Sequence, residues 1–388
     1  MIGVEEAKRR MMAEVVVRPT ERRALIRALG HVVCEAIRSP DHYPRFDVTA
    51  VDGYAVGSVE GPWTVIGALA AGEVASTPVM PGEAVRIFTG AMVPQGTVAV
   101  LMQEYCIREQ GTLRHTAAGL NAGANIRREG ESVRKGEVVV EAGSVLSVAA
   151  IGALASCGVR EVCTTSKPHV AVLRTGGEFI ELGKDTTGRI HSSNEHMLEA
   201  ALRVEGCTAE VHTAHDEEEA LVEAIQQAAA HGDVLITTGG VSVGDHDLLP
   251  AVMKKLGATI HFHGVAQKPG KPMLFATVLG RPVFALPGNP RAVLVLYHEY
   301  VLPFLRAVQG VPAPFLREEE LPLAAPLEVK GQRAEFRAGL VRGVRVELLA
   351  DEGSHMLRTL LVANALVYLP ADRRSWAAGD PVIVHHLP

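Results

Sequence analysis

The chain has 388 residues, 47% of them hydrophobic, and a formal net charge of −6 at pH 7. This composition excludes global disorder, and the length predicts two to four domains. The mildly negative charge disfavours non-specific binding to nucleic acids or membrane surfaces, and only nine of the 38 basic residues are lysines.

No segment of the sequence is typical of secretion or of a membrane span. The first ten residues carry charge from Glu5 onward and lack the apolar region of a signal peptide. The longest nearly apolar run, 144–159, is shorter than the ~20 residues that cross a bilayer. We therefore expect a cytoplasmic protein with no membrane partner and no nucleic-acid partner.

The beginning of the chain is predicted to be helical. Thr20 stands where an N-cap would, and apolar residues recur at helical spacing between Leu25 and Val33. A second helix is predicted from Ser147 to a stop at Gly158. These two stretches are expected to form one split helical and linking domain, 1–40 and 141–166.

Between the two helical stretches the sequence is typical of β structure. Short β-branched runs near Trp63, Ala84 and Val98 are separated by Gly and Pro. This pattern predicts a β-rich domain over 41–140, inserted into the helical domain.

Residues 167–310 alternate predicted strands with predicted helices, and each strand runs into a glycine-containing loop. Helices are expected after Asn194 and Asp247, and Asp216 with Glu219 is read as a capping box that starts another. Repeated units of this kind favour a central three-layer α/β domain with a mostly parallel sheet. Ligands of such sheets bind outside the carboxyl ends of the strands.

Residues 311–388 are predicted to form a small C-terminal β domain. The proline-rich stretch 311–326 is read as a linker, followed by short strands and one helix capped by Ser354. The expected fold class is therefore a multidomain α/β plus β protein.

The five cysteines are odd in number, far apart in sequence, and form no C-x-x-C motif. We expect buried free thiols in a reducing compartment, and neither a disulfide framework nor a zinc site. His261 and His263 bracket Phe262 and are read as one face of an ordinary strand.

The loop from Thr238 to Asp247 combines a strand exit with three glycines, two hydroxyls and two carboxylates. Glycine-rich turns expose backbone N–H groups that can cradle a phosphate. The alternative is a structural turn in which Asp247 only caps the next helix.

A second loop, Lys268-Pro-Gly-Lys-Pro272, holds two of the nine lysines around one turn. Two ammonium groups in one turn repel each other unless an anion lies between them, so the loop predicts an oxyanion or phosphate site. The alternative is a solvated surface turn. A Walker A loop is disfavoured because Pro272 stands where Ser or Thr would hold Mg²⁺.

A third loop, Thr175-Gly-Gly-Glu178, places a carboxylate directly after a strand. An acid beside phosphate-binding loops would repel the ligand unless a divalent cation lies between them, and Mg²⁺ is the natural choice. A charged turn at a strand end is the alternative. In the β-rich module, Asp52-Gly53 and Thr89-Gly90 read by themselves as ordinary turns.

Taken in order, eight motifs resemble the molybdopterin molybdenumtransferase family, which comprises bacterial MoeA and the E domain of gephyrin. The motifs are Asp52-Gly-Tyr-Ala, Ile87-Phe-Thr-Gly-Ala91, Asn125-Ile-Arg, Thr175-Gly-Gly-Glu178, Thr238-Gly-Gly-Val-Ser-Val-Gly244, Lys268-Pro-Gly-Lys-Pro272, Leu286-Pro-Gly-Asn-Pro290 and Gly353-Ser354.

The resemblance implies Mg²⁺-dependent insertion of molybdenum from molybdate into adenylylated molybdopterin, with release of AMP. It also implies a homodimer in which the site lies between the α/β domain of one subunit and the β-rich domain of the other. Molybdopterin adenylyltransferase and molybdoenzyme maturation proteins are the further partners it suggests.

The resemblance also assigns roles to individual positions. The implied catalytic residues are Asp52, Thr89, Glu178, Asp247, Lys268 and Lys271, with Glu178 and Asp247 as metal ligands. The implied substrate-binding residues are Thr175, Gly176, Asp216, Thr238, Gly239, Gly240, Ser242, Gly244, Pro269, Gly270, Pro287, Gly288, Asn289 and Ser354.

Four positions depart from the family pattern. Ser132, Gly177 and Val98 stand where acids are usual, and Gly264 stands where a lysine is usual. The changes at Ser132, Gly177 and Gly264 motivate an alternative, a catalytically weakened paralogue that binds pterin or acts as a scaffold. An unrelated Mg²⁺-dependent nucleotide hydrolase on the same fold is a third hypothesis, since fold does not fix function. Molybdate and tungstate are both compatible oxyanions because they are tetrahedral dianions of similar size.

Overall fold

The computed structural model describes residues 1–117, 119–180, 182–184, 187–241, 248–350, 353 and 356–388. The chain forms two compact units. The larger contains Met1–Glu21, Gly30–Val32 and Thr165–Pro388, and the smaller contains Arg22–Leu29 and Val33–Thr164. The finer division into four domains stays a prediction. Every helix within the described ranges is too short or too polar to cross a membrane.

Short strands dominate the first part of the chain, between two helices. In order, the elements are α1 Val4–Ala13, β1 Thr20–Ala24, β2 Ile37–Arg38, β3 Val48–Thr49, β4 Gly53–Val56, β5 Trp63–Leu69, β6 Glu83–Ile87, β7 Ala99–Met102, β8 Cys106–Glu109, β9 Thr112–His115, β10 Ile126–Arg127, β11 Val138–Val140, α2 Val148–Ser156 and β12 Glu161–Thr165. Single 3-10 turns cover Leu25–Arg27 and Gln103–Tyr105.

The main sheet of the smaller unit has six strands in the order β7-β4-β6-β5-β9-β8. All neighbours are antiparallel except β5 and β6. One face buries Trp63, Leu101 and Leu113, and Trp63 and Leu113 alternate with more exposed residues along their strands. The predicted β-rich module is confirmed.

The predicted helix beginning at Thr20 is wrong. This segment is β1, followed by the 3-10 turn. The backbone N–H of Leu25 donates to the carbonyl of Arg160 at 2.9 Å, and that of Val33 donates to Ser144 at 2.9 Å. These distant partners satisfy backbone groups that a helix would pair locally, so tertiary pairing overrides the helical spacing.

The second predicted helix is confirmed as α2. Ser147 is its N-cap, and the Ser147 hydroxyl accepts a hydrogen bond from the backbone N–H of Ala150 at 3.2 Å.

Cys34 and Cys163 form a disulfide, so the expectation of free thiols throughout is wrong for this pair. Their segments run side by side: the N–H of Cys34 donates to the carbonyl of Cys163 at 3.1 Å, and the Cα atoms are 5.8 Å apart. Cys106, Cys157 and Cys207 are free, as predicted. Burial raises the pKa of Cys207 to about 11.

The α/β part of the larger unit alternates strands and helices. Its elements are β13 His169–Thr175, β14 Phe179–Ile180, β15 Ile190–His191, α3 Asn194–Val204, β16 Thr208–Ala214, α4 Glu218–His231, β17 Val234–Thr238, α5 Leu249–Lys255, β18 Thr259–His263, β19 Gln267–Lys268, β20 Leu274–Val278, β21 Arg281–Leu286, α6 Pro290–Leu296 and α7 Leu302–Val308. A π-helical segment, Tyr297–Val301, joins α6 to α7.

Six of these strands form one sheet in the order β16-β13-β17-β21-β20-β18. The first four are parallel, and the last two are antiparallel to their neighbours. Val170 and Val172 pack in one apolar core, whereas Ala171 and Leu173 pack in another. Burial on both faces is why these strands read as continuous apolar runs. The predicted three-layer α/β domain is confirmed.

One helix start in this domain differs from the prediction. The N-cap position of α4 is Glu217 rather than Asp216, and the Glu217 side chain makes no capping hydrogen bond. Acidic residues at the start of a helix are favoured by its dipole as well as by capping, so the sequence signal did not separate the two effects.

The C-terminal part contains a third six-stranded sheet. Its elements are β22 Glu318–Pro322, β23 Leu327–Glu328, β24 Ala334–Arg342, β25 Arg345–Leu348, β26 Ala365–Leu369, β27 Ser375–Trp376 and β28 Pro381–His386. The strand order is β19-β24-β26-β28-β22. Strand β25 pairs with the second half of β24, from Gly339 to Arg342. Strand β19 thus carries the loop beginning at Lys268 into this sheet.

Two expectations for this region are wrong. The predicted linker contains β22, because Glu318–Pro322 pairs with β28 in spite of the prolines around it. The predicted C-terminal helix is a 3-10 turn at Arg358–Leu361, and its expected cap, Ser354, lies outside the described residues.

Candidate anion-binding active site

Three of the predicted loops follow neighbouring parallel strands. Strands β13, β17 and β21 end at Thr175, Thr238 and Leu286, so their loops leave the same edge of the sheet. The Thr175 hydroxyl donates to the carbonyl of Thr238 at 3.3 Å, and the N–H of Gly239 donates to Leu286 at 3.1 Å. Gly240 follows in the same loop.

Other candidate residues border this edge. Asp216 follows β16, which is parallel to β13 and ends at Ala214. The Pro287–Asn289 loop is tied to the start of α3, because Asn194 Nδ2 donates to the carbonyl of Gly288 at 2.9 Å. The candidates Ser242, Gly244, Asp247 and Ser354 lie outside the described residues.

Glu178 is exposed at this edge, and a turn at Gly176 folds the Glu178 carboxylate close to Gly176 in the same loop. Gly176 has φ +119°, a conformation that favours glycine, and a side chain there would collide with the Glu178 carboxylate. The turn therefore leaves an exposed carboxylate at the strand ends.

A cavity of about 390 Å³ lies between the lysine loop, the loop after β21 and the start of β24. Its lining residues are Lys268, Pro269, Gly270, Lys271, Pro272, Pro287, Asn289, Arg291, Ala292, Arg333, Glu335 and Phe336. The structure therefore brings the predicted lysine loop together with the predicted Pro287–Asn289 loop.

Among the described residues, positive charge exceeds negative charge in this cavity. Lys268, Lys271, Arg291 and Arg333 line it together with one described carboxylate, Glu335. Glu335 is 4% exposed, 3.8 Å from Lys268 Nζ and 2.8 Å from Arg337 Nη2. The excess of guanidinium and ammonium groups is suited to a compact oxyanion.

Two of these cations were not predicted from the sequence. Arg291 lies in α6, is 2% exposed, and its Nη1 donates to Thr359 Oγ1 at 2.7 Å. Arg333 precedes β24. It reaches the lysine loop because β19 pairs in parallel with β24, placing Lys268 opposite Glu335. Neither arginine belongs to a local motif, so only the tertiary pairing identifies them.

The two candidates from the β-rich module pair with each other in the smaller unit. Asp52 Oδ1 accepts hydrogen bonds from the Thr89 N–H at 2.8 Å and from the Thr89 hydroxyl at 2.7 Å. The backbone bond, followed by the hydroxyl bond, holds the pKa of Asp52 below its usual value. The role of Asp52 and Thr89 in the active site of a partner subunit stays a prediction.

The structure shows what surrounds two of the departures. At Gly264 φ is +86°, and a side chain would come within 3.1 Å of Met1 Cγ, so a lysine there would be strained. At Gly177 the nearest atom to an added Cβ is His215 Nδ1, at 3.8 Å, so that position has room for a side chain. Ser132 lines a separate cavity of about 720 Å³ in the smaller unit.

Comparison with known families covers most of the chain in three consecutive matches. Residues 2–158 match the MoeA N-terminal region (domain I and II), and 171–307 match a probable molybdopterin binding domain. Residues 320–387 match the MoeA C-terminal region (domain IV).

Individual relatives agree over nearly their whole length. The molybdopterin molybdenumtransferase of Haemophilus influenzae is 33% identical, over 99% of this chain and 98% of its own. That of Staphylococcus epidermidis is 32% identical, over 99% and 95%. The crystal structure of a molybdopterin biosynthesis MoeA protein from Pyrococcus horikoshii has a TM-score of 0.82 at 28% identity, covering 100% of this chain and 99% of that one.

Proposed function

The chain belongs to the molybdopterin molybdenumtransferase family, whose reaction is a step of molybdenum cofactor biosynthesis, and we propose that it inserts molybdenum from molybdate into adenylylated molybdopterin, releasing AMP. This proposal depends on the cavity in which, among the described residues, Lys268, Lys271, Arg291 and Arg333 line the wall with a single carboxylate. Such a cavity is suited to a tetrahedral dianion of the molybdate type.

Two adjacent parts of the site would bind the two substrates. Lys268 and Lys271 would hold the oxyanion, while the loops after Thr175 and Thr238 would bind the phosphates of the pterin through backbone N–H groups. Scission of the phosphoanhydride would then depend on positioning the two reactants and on stabilising negative charge. Neither task needs a nucleophilic side chain.

The described residues fit a Mg²⁺ site that substrate completes. Glu178 supplies an exposed carboxylate beside the cradle at Gly176, and Mg²⁺ prefers one or two carboxylates together with phosphate oxygens. Within the described ranges, no three His, Cys, Asp or Glu side chains form a ready-made metal cluster. Asp247 is the second proposed ligand. When bound, the ion would neutralise charge on the substrate phosphates.

We further propose a homodimer, which would bring Asp52 and Thr89 of one subunit to the loops of the other. Exposed apolar residues of the smaller unit support it. Helix α2 is apolar along its length, yet Val148 is 77% exposed, and Ile26, in the 3-10 turn packed on α2, is 78% exposed. Large exposed apolar groups of this kind mark protein interfaces. A Val148→Asp variant should be monomeric by light scattering.

Cytoplasmic location and encounters with molybdopterin adenylyltransferase and with molybdoenzyme maturation proteins belong to the same proposal. Each follows from the position of the reaction between the making of adenylylated molybdopterin and the use of the finished cofactor.

A pterin-binding scaffold is the second candidate, favoured by the changes at Ser132, Gly177 and Gly264. The two functions differ in turnover. The active transferase releases AMP from adenylylated molybdopterin when molybdate or tungstate and Mg²⁺ are present, whereas a scaffold binds the pterin and releases none. The same assay without either oxyanion separates both from a simple nucleotide hydrolase.

A further inference from the structure

A buried hydrogen-bond chain runs behind the lysine loop. Tyr300 and Gln267 are both 0% exposed. The Tyr300 hydroxyl donates to Oε1 of Gln267, and Gln267 Nε2 donates to the carbonyl of Pro269 at 2.9 Å. Because Pro269 lies between the two lysines of the loop, the chain ends on the segment that carries both ammonium groups.

The direction of each bond follows from the groups involved. A carbonyl oxygen only accepts, so the amide nitrogen of Gln267 must face Pro269, and Oε1 then faces Tyr300. Burial raises the pKa of Tyr300 well above its usual value, so the hydroxyl keeps its proton and donates. The Gln267 amide is therefore held in one orientation.

The backbone of Gln267 connects the same point to the C-terminal sheet. Its carbonyl accepts a hydrogen bond from Arg333 Nη1 at 3.0 Å, and in the β19–β24 pair it stands opposite Ala334. Gln267 thus contacts two of the three segments that bring positive charge to the cavity, the lysine loop and the arginine that precedes β24; Arg291, on α6, is the third.

We propose that Gln267, oriented by Tyr300, is a positioning residue that fixes the separation of the cavity's cations for the oxyanion. The inference rests on the proposed function of the cavity. Gln267 does not line the cavity and acts through Pro269 and Arg333. Since a compact dianion needs cations at fixed distances, breaking the chain should weaken oxyanion binding without changing the charge of the cavity.

The test measures molybdate affinity by calorimetry, and steady-state AMP release, in wild type, Tyr300→Phe, Gln267→Met and the double variant. We expect Tyr300→Phe to weaken molybdate binding about fivefold and Gln267→Met about tenfold, as for buried hydrogen bonds that lose a partner. The KM for molybdate should rise while the KM for the pterin changes less than about twofold. Because both residues act in one chain, the double variant should bind no more weakly than Gln267→Met.

Tyr297→Phe is the matched control. Tyr297 lies on the same π-helical segment and is 2% exposed, and its hydroxyl has no hydrogen-bond partner among the described residues. Removing that hydroxyl should leave molybdate affinity unchanged. If Gln267→Met does not fold, Tyr300→Phe, which removes a single oxygen atom, decides the matter with this control.

Equal molybdate affinity in Tyr300→Phe and Tyr297→Phe overturns the inference, as does a double variant in which the two losses multiply. A joint loss of molybdate and pterin affinity assigns the chain a general structural role and also overturns it. A wild type that binds molybdate but releases no AMP refutes the proposed function alone, because the affinity comparison still decides the inference. A wild type that binds no molybdate refutes both.

Discussion

Two cavities of nearly equal size lie in the larger unit, and they differ in how their charges are balanced. The anion cavity, which the lysine loop lines, measures about 390 Å³, and the described residues that line it include four cations and one carboxylate. A second cavity of about 370 Å³ is lined by two cations, Arg18 and Arg281, and two acids, Glu14 and Asp233. There Asp233 pairs with both arginines, so no surplus charge is left for a ligand. Charge balance therefore distinguishes the candidate site where volume does not.

Removing one cation from each cavity should produce the largest difference in the rate of AMP release. Lys271→Ala should lower molybdate-dependent AMP release by about a hundredfold or more, as when a preorganised donor to an anionic transition state is lost. Arg281→Ala in the balanced cavity should change the rate less than about twofold. Wild-type activity in Lys271→Ala, or equal losses in both variants, would remove the basis for choosing between the cavities.

Replacing the arginine that the sequence did not reveal should have the next largest effect. Arg333→Ala should weaken molybdate binding about tenfold, because a charge-assisted contact and the hydrogen bond to the Gln267 carbonyl are both lost. Lys330→Ala is the control, since this exposed lysine lies close in sequence but does not line the cavity. Calorimetric titration with molybdate checks the pair, and equal affinities would show that Arg333 plays no part.

Neutralising Glu335, the carboxylate that lines the anion cavity, should increase the affinity of this cavity for molybdate. Glu335→Gln removes a negative charge 3.8 Å from Lys268 Nζ, so molybdate should bind about fivefold more tightly, with water screening most of the Coulomb energy. The variant should also unfold at a lower temperature, because the buried ion pair between Arg337 and Glu335 is lost. Weaker molybdate binding would mean that Glu335 serves the ligand rather than opposing it.

The smallest effect is expected in the smaller unit, where Thr89 donates two hydrogen bonds to the Asp52 carboxylate. Its pKa is lowered by Thr89, so the pairing contributes only while Asp52 is ionised and is lost as the pH falls through its folded-state pKa. Thr89→Val removes the hydroxyl bond and keeps the backbone bond, and should therefore raise the Asp52 pKa part of the way to about 3.9. Thr89→Ser should leave it unchanged. Carboxyl NMR titration measures both, and an unshifted pKa in Thr89→Val would contradict the assignment.

Local patterns predicted the parts of the fold that depend on neighbours in sequence. The buried strands of the α/β sheet and the loops at Thr175, Thr238 and Lys268 were visible because apolar runs and glycines are local signals. Parallel strand order then places three of these loops at one edge without further information.

The errors occur where distant segments meet. The false helix at Thr20 fails because Leu25 pairs with Arg160. The cation Arg333 was missed because the cavity depends on β19 pairing with β24, far apart in sequence. No residue type or spacing in the sequence near Arg333 predicts that strand pairing.

The most direct test of the proposed function is AMP release by the wild-type protein from adenylylated molybdopterin, measured with Mg²⁺ in the presence and absence of molybdate. An active transferase should release AMP rapidly, only when both Mg²⁺ and the oxyanion are present, and should yield the molybdenum cofactor. Tight binding of the pterin with no AMP release, or AMP release that is indifferent to molybdate, would show that the chain is not an active transferase.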